Sequence, residues 1–193
     1  MAGDRVALVL VAGAAGPGSA AALFPGTRLE TLERDDLRPR APFEGRLFEL
    51  LGVRPRGSLV GLVVPVVPVR PAGARAPDPG DLVPIADHVN LELRGPLTGR
   101  WPAGVPRVFP SLTCIYQPGL VRPPEGARVY SSGVVAAGVA DVRRLSAFEV
   151  RAVRDGGWPV VSDSLVPVTI VAAFYGLRLA ACGVAQAPRF ERE

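Results

Sequence analysis

The chain has 193 residues, of which 48% are apolar, and this composition excludes an intrinsically disordered protein and suits one domain with a buried core. All 22 basic residues are arginine, and because they are interleaved with 18 acidic residues, the net charge of +4 predicts a mixed-charge surface rather than a nucleic-acid-binding one. Charge, proline or glycine interrupts every apolar run before it reaches the length of a membrane-spanning helix.

The N-terminal part of the chain predicts one buried strand and two helices. Residues 6–11 form an unbroken apolar run, which is typical of a strand buried on both faces of a parallel sheet. A glycine-rich loop at 13–18 leads into a short helix at 19–24. Residues 28–40 are polar and predict a surface excursion, whereas apolar residues recur at helical spacing over 43–51.

The middle of the chain predicts two strands and a long loop. Residues 59–69 are apolar and indicate a strand, but Pro65 and Pro68 cannot donate hydrogen bonds to a neighbouring strand. We therefore expect the second half of this strand to be a sheet edge or an irregular exit. A short strand follows at 81–85, and the turn-rich segment 87–124 predicts a long excursion over the surface.

The C-terminal part alternates between strands and helices. Ser146 and Glu149 have the spacing of a capping box, which starts a helix that we expect to end near Arg154. The other predicted elements are strands at 129–139, 160–161 and 177–184, and a helix at 167–175. This alternation predicts one α/β domain over 1–193, with a twisted, mixed or mostly parallel sheet, flanking helices and a tail at 187–193.

Few residues of the chain are of a type that carries catalytic or metal-binding chemistry. His88 is the only histidine, so a Ser-His-Asp site is not expected, and we predict a hydrogen-bonded turn role for it. Cys182 lies in an apolar run and predicts a buried, inert thiol, although a disulfide with Cys114 stays open. Two cysteines are too few for a metal site. Residues 1–22 resemble a secretory signal, but the apolar stretch is short and Asp4 precedes it, so a first core strand that runs into a glycine-rich loop is the favoured interpretation and the signal is the alternative.

Six segments, in chain order, resemble the trimeric purine nucleoside phosphorylase family. The most specific is 80–91, in which Asp87, His88 and Asn90 match a Gly-Asp…Asp-His-Ile-Asn-Leu segment of that family. The remaining matches lie at 48–53, 94–96, 109–110 followed by Tyr116, 164–172, and 176–178. The resemblance implies a twisted α/β sheet that closes partly into a barrel, phosphorolysis of nucleosides as the family's reaction, and a homo-oligomer. It also places Trp101, Phe109 and Tyr116 in a region where the family builds its subunit interface; packing onto the chain's own core is the equal alternative.

The positions to which the family's chemistry maps carry other residues. The family's phosphate-binding loop falls at 12–14, without its hydroxyl, and the base-binding glutamate falls at Leu145. The base-binding asparagine falls at Gln186 or Ala187, and the segment with the family's arginine and histidine is missing near residue 41. A residual pocket is left, for which the candidate residues are Gly13, Arg143, Arg144, Asp163, Ser164 and Gln186.

These losses predict an inactive protein without catalytic residues, cofactor or metal, which acts through contacts with other proteins. A nucleoside or nucleotide sensor with a residual pocket stays open, as does an active phosphorylase with an altered site built on Asp163, Arg143 and Arg144. The arginine-only composition is typical of a GC-rich genome. With the degenerate enzyme pattern it resembles the small nuclear phosphoprotein family of alphaherpesviruses, which implies viral or host protein partners in the nucleus. Outside a virus we expect an intracellular, cytoplasmic protein.

Overall fold

The computed structural model describes residues 6–12, 15, 17–37, 45–92, 95–99, 101, 103 and 107–187. Its strands are β1 (Val6–Ala12), β2 (Leu29–Leu32), β3 (Leu59–Pro68), β4 (Leu82–Asn90), β5 (Val134–Gly138), β6 (Val160–Ser162) and β7 (Arg178–Ala185). Its helices are α1 (Pro17–Leu23), α2 (Arg34–Leu37), α3 (Arg46–Gly52), α4 (Ala147–Asp155) and α5 (Leu165–Phe174), with 3-10 turns at Pro118–Leu120 and Val142–Arg144. None of the described helices has the length and apolar character needed to cross a membrane.

The strands form one mixed sheet that closes on itself. Strand β3 pairs in parallel with β7, which pairs antiparallel with β4; β4 and β5 are parallel, as are β5 and β6. Strand β6 then returns to the end of β3 in an antiparallel pairing, so these five strands make a ring. Strand β1 pairs with β3 on the edge opposite β7, and β2 pairs with β1, so these two strands extend the sheet beyond the ring. The predicted single-domain α/β fold with a mixed sheet and flanking helices is confirmed.

Strand β3 lies at the centre of the core. Its alternate residues enter two apolar clusters: Leu62 and Val64 belong to the larger one with residues of α3 and α5, while Leu59 and Val63 belong to a cluster with residues of α1. Because both faces of this strand are buried, its residues do not alternate between apolar and polar, and 59–64 is instead a run without polar side chains. Burying these side chains removes apolar surface from water on both faces of the sheet.

The two prolines of β3 do not make its second half an edge. The carbonyl oxygen of Val66 accepts a hydrogen bond from the backbone N–H of Gln186 on the β7 side, so the backbone groups of Pro65 point to the other side. On that side the pairing with β1 has already ended at Val63. Pro68 lies beyond the last residue of β3 that pairs with β7, and it pairs with β6. The expected edge or irregular exit is therefore wrong, because each proline occupies a position where the ladder requires no donor.

Two predicted surface excursions contain regular structure. Segment 28–40 includes β2, which pairs with β1, and α2, and these elements bury Leu32 and Leu37 in the core. Segment 87–124 begins inside β4, which continues to Asn90 rather than ending at residue 85. The strand expected over 129–139 is confined to Val134–Gly138, preceded by a single bridge between Val129 and Leu82.

The helix predicted over 43–51 is α3, which starts at Arg46; Phe43 and the tail from residue 188 lie outside the described residues. The two cysteines are free. Cys182 is fully buried in β7, and this burial raises the pKa of its thiol to about 12, which keeps it protonated and unreactive, whereas Cys114 is exposed.

Helix α4 begins with the predicted capping box. The hydroxyl oxygen of Ser146 accepts a hydrogen bond from the backbone N–H of Glu149 at 3.3 Å, and a carboxylate oxygen of Glu149 accepts one from the backbone N–H of Ser146 at 2.7 Å. Two N–H groups that the helix itself cannot satisfy are thus paired.

We expect Ser146→Ala to lower the free energy of unfolding by about 1 kcal/mol, because it leaves one of these N–H groups without its partner. Urea denaturation measures the change. Ser132→Ala is the matched control, since Ser132 is exposed in a loop, and we expect it to change stability by less than about 0.5 kcal/mol. Equal effects of the two substitutions would contradict the capping role.

Candidate functional site

A cleft of about 350 Å³ opens beside the carboxyl ends of the parallel strands β4 and β5. Its apolar lining consists of Leu91, Val139, Ala140, Leu145, Ala152 and Val153. Its charged lining consists of Arg34, Glu92, Asp141, Arg144 and Glu149. In α/β folds the carboxyl ends of parallel strands are where ligands bind, and a mostly apolar cavity with a few polar groups is the usual form of a small-molecule site.

Asp141 is paired with two arginines in this cleft. Its oxygen Oδ2 lies 2.7 Å from Nη2 of Arg34, and Oδ1 lies 3.3 Å from Nε of Arg143. Oδ1 also accepts a hydrogen bond from the backbone N–H of Arg143 at 3.1 Å, which caps the 3-10 turn Val142–Arg144. The Arg34 guanidinium, followed by these bonds from Arg143, holds the pKa of Asp141 well below its usual range.

Glu149 is also occupied by a structural contact. Its capping-box bonds, from the backbone N–H of Ser146 first and from the Ser146 hydroxyl second, lower the pKa of its carboxyl group. A general acid or base works best when its pKa lies near the working pH. Asp141 and Glu149 are both held in the ionised form instead, so neither carboxylate is suited to transfer a proton near neutral pH.

The predicted pocket residues are only partly brought together. Arg143 and Arg144 lie in the 3-10 turn at the opening of the cleft, close to Arg34 and Asp141. Asp163 follows β6 and acts on Arg34 electrostatically, contributing after Asp141 to a raised pKa of that guanidinium. Asp163 is not among the residues that line the cleft, and Gly13 lies outside the described residues.

Ser164 and Gln186 are held by their own neighbours. The hydroxyl of Ser164 donates to a carboxylate oxygen of Asp163 at 3.0 Å, and the side chain is buried. The side-chain amide of Gln186 donates to the carbonyl oxygen of Val184 at 3.1 Å. Neither side chain belongs to the described lining of the cleft.

Sequence reasoning missed Arg34 and Asp141 as site residues. Arg34 was one arginine of a mixed-charge segment, and no pattern links it to a residue 107 positions away. Asp141 does carry a local signal, because an aspartate directly before a short turn is a common cap of that turn. The chemistry of the cleft therefore depends on a contact between distant segments.

His88 lies in β4 rather than in a turn, so the predicted turn role is wrong. Its Nδ1 is 2.8 Å from the hydroxyl oxygen of Tyr116, which is also 2.8 Å from the hydroxyl oxygen of Thr169 in α5. The neighbouring motif residues make local bonds: Asp87 accepts from the backbone N–H of His88, and Asn90 accepts from that of Glu92. The network ties the long excursion to the sheet and to α5.

The stability of the protein should depend on pH through His88. Burial lowers its pKa below the ordinary value of 6.5, outweighing the opposite effect of Asp87. As pH falls below about 6.5, the unfolded chain binds a proton that the folded chain does not, so the free energy of unfolding falls, with a limiting slope of about 1.4 kcal/mol per pH unit. Above that pH the slope should be near zero.

Urea denaturation between about pH 8 and pH 5.5 measures this dependence. Because His88 is the only histidine, His88→Gln should remove most of the slope in this range. A slope that is the same in the wild type and in His88→Gln would show that other groups produce it.

The three aromatic residues of the excursion have different environments. Tyr116 is buried in the core, which matches the packing alternative. Trp101 packs against Phe174 with ring centroids 6.0 Å apart, and its Nε1 donates to the carbonyl oxygen of Leu97. Phe109 is fully exposed, so it alone of the three is free for an interface.

No protein-family model matches the sequence, and no curated protein matches it. Solved structures match in fold. A purine nucleoside phosphorylase from Schistosoma mansoni, complexed with a monocyclic inhibitor, is 13% identical with a TM-score of 0.64, and 96% of this chain and 82% of that chain are covered.

Two further structures from the same organism are similar. Methylthioadenosine phosphorylase in its apo form is 12% identical with a TM-score of 0.62, covering 98% of this chain and 83% of the other. Isoform 2 of purine nucleoside phosphorylase, in complex with cytosine and ribose-1-phosphate, is 16% identical with a TM-score of 0.61. The match covers 94% of this chain and 76% of that chain. These matches show a nucleoside phosphorylase-like fold, and a fold alone does not establish an activity.

Proposed function

We propose that the chain is a catalytically silent protein with a nucleoside phosphorylase-like fold, which works by binding and not by converting a substrate. The observation that carries this proposal is the state of Asp141 and Glu149, two of the three carboxylates that line the cleft. Each faces the cleft at the carboxyl ends of the strands, and each is held ionised by contacts within the protein. His88, the only histidine, is bonded to Tyr116 and is not part of the described lining of the cleft.

Contact with other proteins is the first form of binding that we propose. Phe109 is fully exposed, and so is most of Phe148 in the first turn of α4. Exposed aromatic side chains are enriched in the cores of protein interfaces. The partner can be a viral or host protein, or a second copy of this chain. Viral origin and nuclear or cytoplasmic location stay predictions from composition.

Binding of a small ligand in the cleft is the second form, and a separate observation favours it. The Arg144 side chain makes no hydrogen bond or ion pair with any residue that the structure describes, although it lines the cleft. A guanidinium without a partner beside an apolar cavity is able to bind a ligand. An active phosphorylase with an altered site is the remaining alternative.

A phosphorolysis assay tests the proposal. Purine and pyrimidine nucleosides are incubated with phosphate and the purified chain, and free base is separated by chromatography. We expect no release of base above a protein-free control, because Asp141 and Glu149 are held ionised by their own partners and are not suited to assist the departing base. An active purine nucleoside phosphorylase in parallel shows that the assay detects turnover. Release that scales with the amount of this chain would overturn catalytic silence.

A further inference from the structure

An arginine cluster, made of Arg34, Arg143 and Arg144, surrounds Asp141 at the opening of the cleft. Two distant segments build it, since Arg34 comes from α2 and the other residues from the turn after β5. The side chains of Arg34 and Arg143 remain 43% and 55% exposed. The three arginines therefore line one hollow, in which Arg34 and Arg143 are held by Asp141 and can still be reached from solvent.

The charges at this opening do not balance. Asp141 pairs with Arg34 and Arg143, and the Arg144 guanidinium has no partner among the described residues. Three positive charges thus face one carboxylate at this opening, and Asp163 and Asp35 are further negative charges that act on Arg34. The opening is expected to attract an anion, and arginine binds phosphate oxygens with two parallel hydrogen bonds.

Apolar side chains line the cleft beside the arginine cluster. Its walls include Leu91, Val139 and Leu145, which are apolar side chains able to cover a flat ring. The carboxylate of Glu149 is used by the capping box, and Glu92 lies on the wall formed after β4. A cleft that combines these apolar walls with the arginine cluster suits a molecule with an apolar ring at one end and an anion at the other.

We infer that the arginine cluster binds the phosphate group of a phosphorylated small molecule whose flat ring enters the apolar cleft, as a nucleoside monophosphate does. The inference rests on the proposed binding function and specifies its ligand. Arg144 supplies a guanidinium that has no partner among the described residues, while Arg34 and Arg143 supply N–H groups that Asp141 does not occupy. The phosphate group and the ring are both required for tight binding.

Isothermal titration calorimetry at low salt tests the inference with adenosine, guanosine and uridine monophosphates. The comparison ligands are the three nucleosides, inorganic phosphate and ribose 5-phosphate. At least one monophosphate should bind, and more tightly than its nucleoside, than phosphate and than ribose 5-phosphate, with an affinity that decreases as salt is added. Arg144→Ala should weaken this binding by about tenfold to a hundredfold.

Arg151→Ala is the matched control, since Arg151 is an exposed arginine of α4 that does not line the cleft, and its removal changes the net charge equally. It should leave the affinity within about twofold. The inference is overturned if no monophosphate binds, if Arg151→Ala weakens binding as much as Arg144→Ala, or if a nucleoside, phosphate or ribose 5-phosphate binds as tightly as the monophosphate. Release of base in the phosphorolysis assay would instead overturn the proposed silence and leave this binding result standing.

Discussion

Gly138→Ala is expected to lower the free energy of unfolding by about 2 kcal/mol, because β5 and α5 approach too closely for a side chain at this position. A Cβ atom on Gly138 would lie 2.1 Å from Cγ2 of Val166 and 3.4 Å from the backbone oxygen of Val89. Val166 is fully packed in α5, so it cannot rotate away without displacing its neighbours. Chemical denaturation by urea measures the loss.

A double-mutant cycle identifies the clash as the cause. Val166→Ala alone should cost about 2 kcal/mol through the cavity that it leaves. In the double variant the new methyl group of residue 138 occupies part of that cavity, so the combined loss should be smaller than the sum by about 1 kcal/mol or more. Gly119→Ala is the control, since a Cβ atom there would contact nothing within 4 Å. Additive losses, or a Gly138→Ala loss no larger than that of Gly119→Ala, would contradict the close approach.

Asp81→Ala is expected to lower the free energy of unfolding by about 2 kcal/mol. The Asp81 side chain is only 1% exposed, and Oδ2 accepts a hydrogen bond from the backbone N–H of Asp78 at 2.9 Å. Arg128 and Arg75 approach the same carboxylate at 3.1 and 3.3 Å. Because both arginines are more than 60% exposed, these ion pairs contribute little, and most of the cost comes from the lost hydrogen bond and the cavity.

Two further substitutions separate these contributions. Asp81→Asn keeps an acceptor for the N–H of Asp78 and should cost about half as much as Asp81→Ala. Asp78→Ala removes an exposed carboxylate that lies 3.6 Å from Arg75, and should change stability by less than about 0.5 kcal/mol. Urea denaturation of the wild type and the three variants measures the order of these losses of stability. If Asp81→Ala were as mild as Asp78→Ala, the buried carboxylate would not hold this loop to the start of β4.

Local patterns made part of the fold predictable. The apolar run of β1 and the capping box of α4 are determined by neighbouring residues, and both are present as predicted. Strand β2 and helix α2 were missed because their charged residues dominate the pattern, while only Leu32 and Leu37 face the core. The polar side chain of Glu30 in β2 pairs with Arg28 and Arg46 at the sheet edge, so a short edge strand has the composition of a loop.

The course of β3 shows a second limit. Pro65 argues against a central strand only if its nitrogen faces a paired neighbour, and that depends on where β1 ends in the sheet. The residues of the site, too, could be predicted only as far as local sequence allows. Arg143 and Arg144 were found from their chemistry, but Arg34 enters the cleft through tertiary contacts that no spacing in the sequence encodes.

The central claim is that the chain, despite its nucleoside phosphorylase-like fold, does not convert a nucleoside. A single-turnover experiment is the most direct test, because excess protein reveals even one slow reaction whose products stay bound. Protein in excess over inosine is incubated with phosphate, denatured, and analysed for hypoxanthine and ribose 1-phosphate. We predict that inosine is recovered unchanged, as it is from the phosphate-free control. Formation of one hypoxanthine per inosine, dependent on phosphate, would contradict the account.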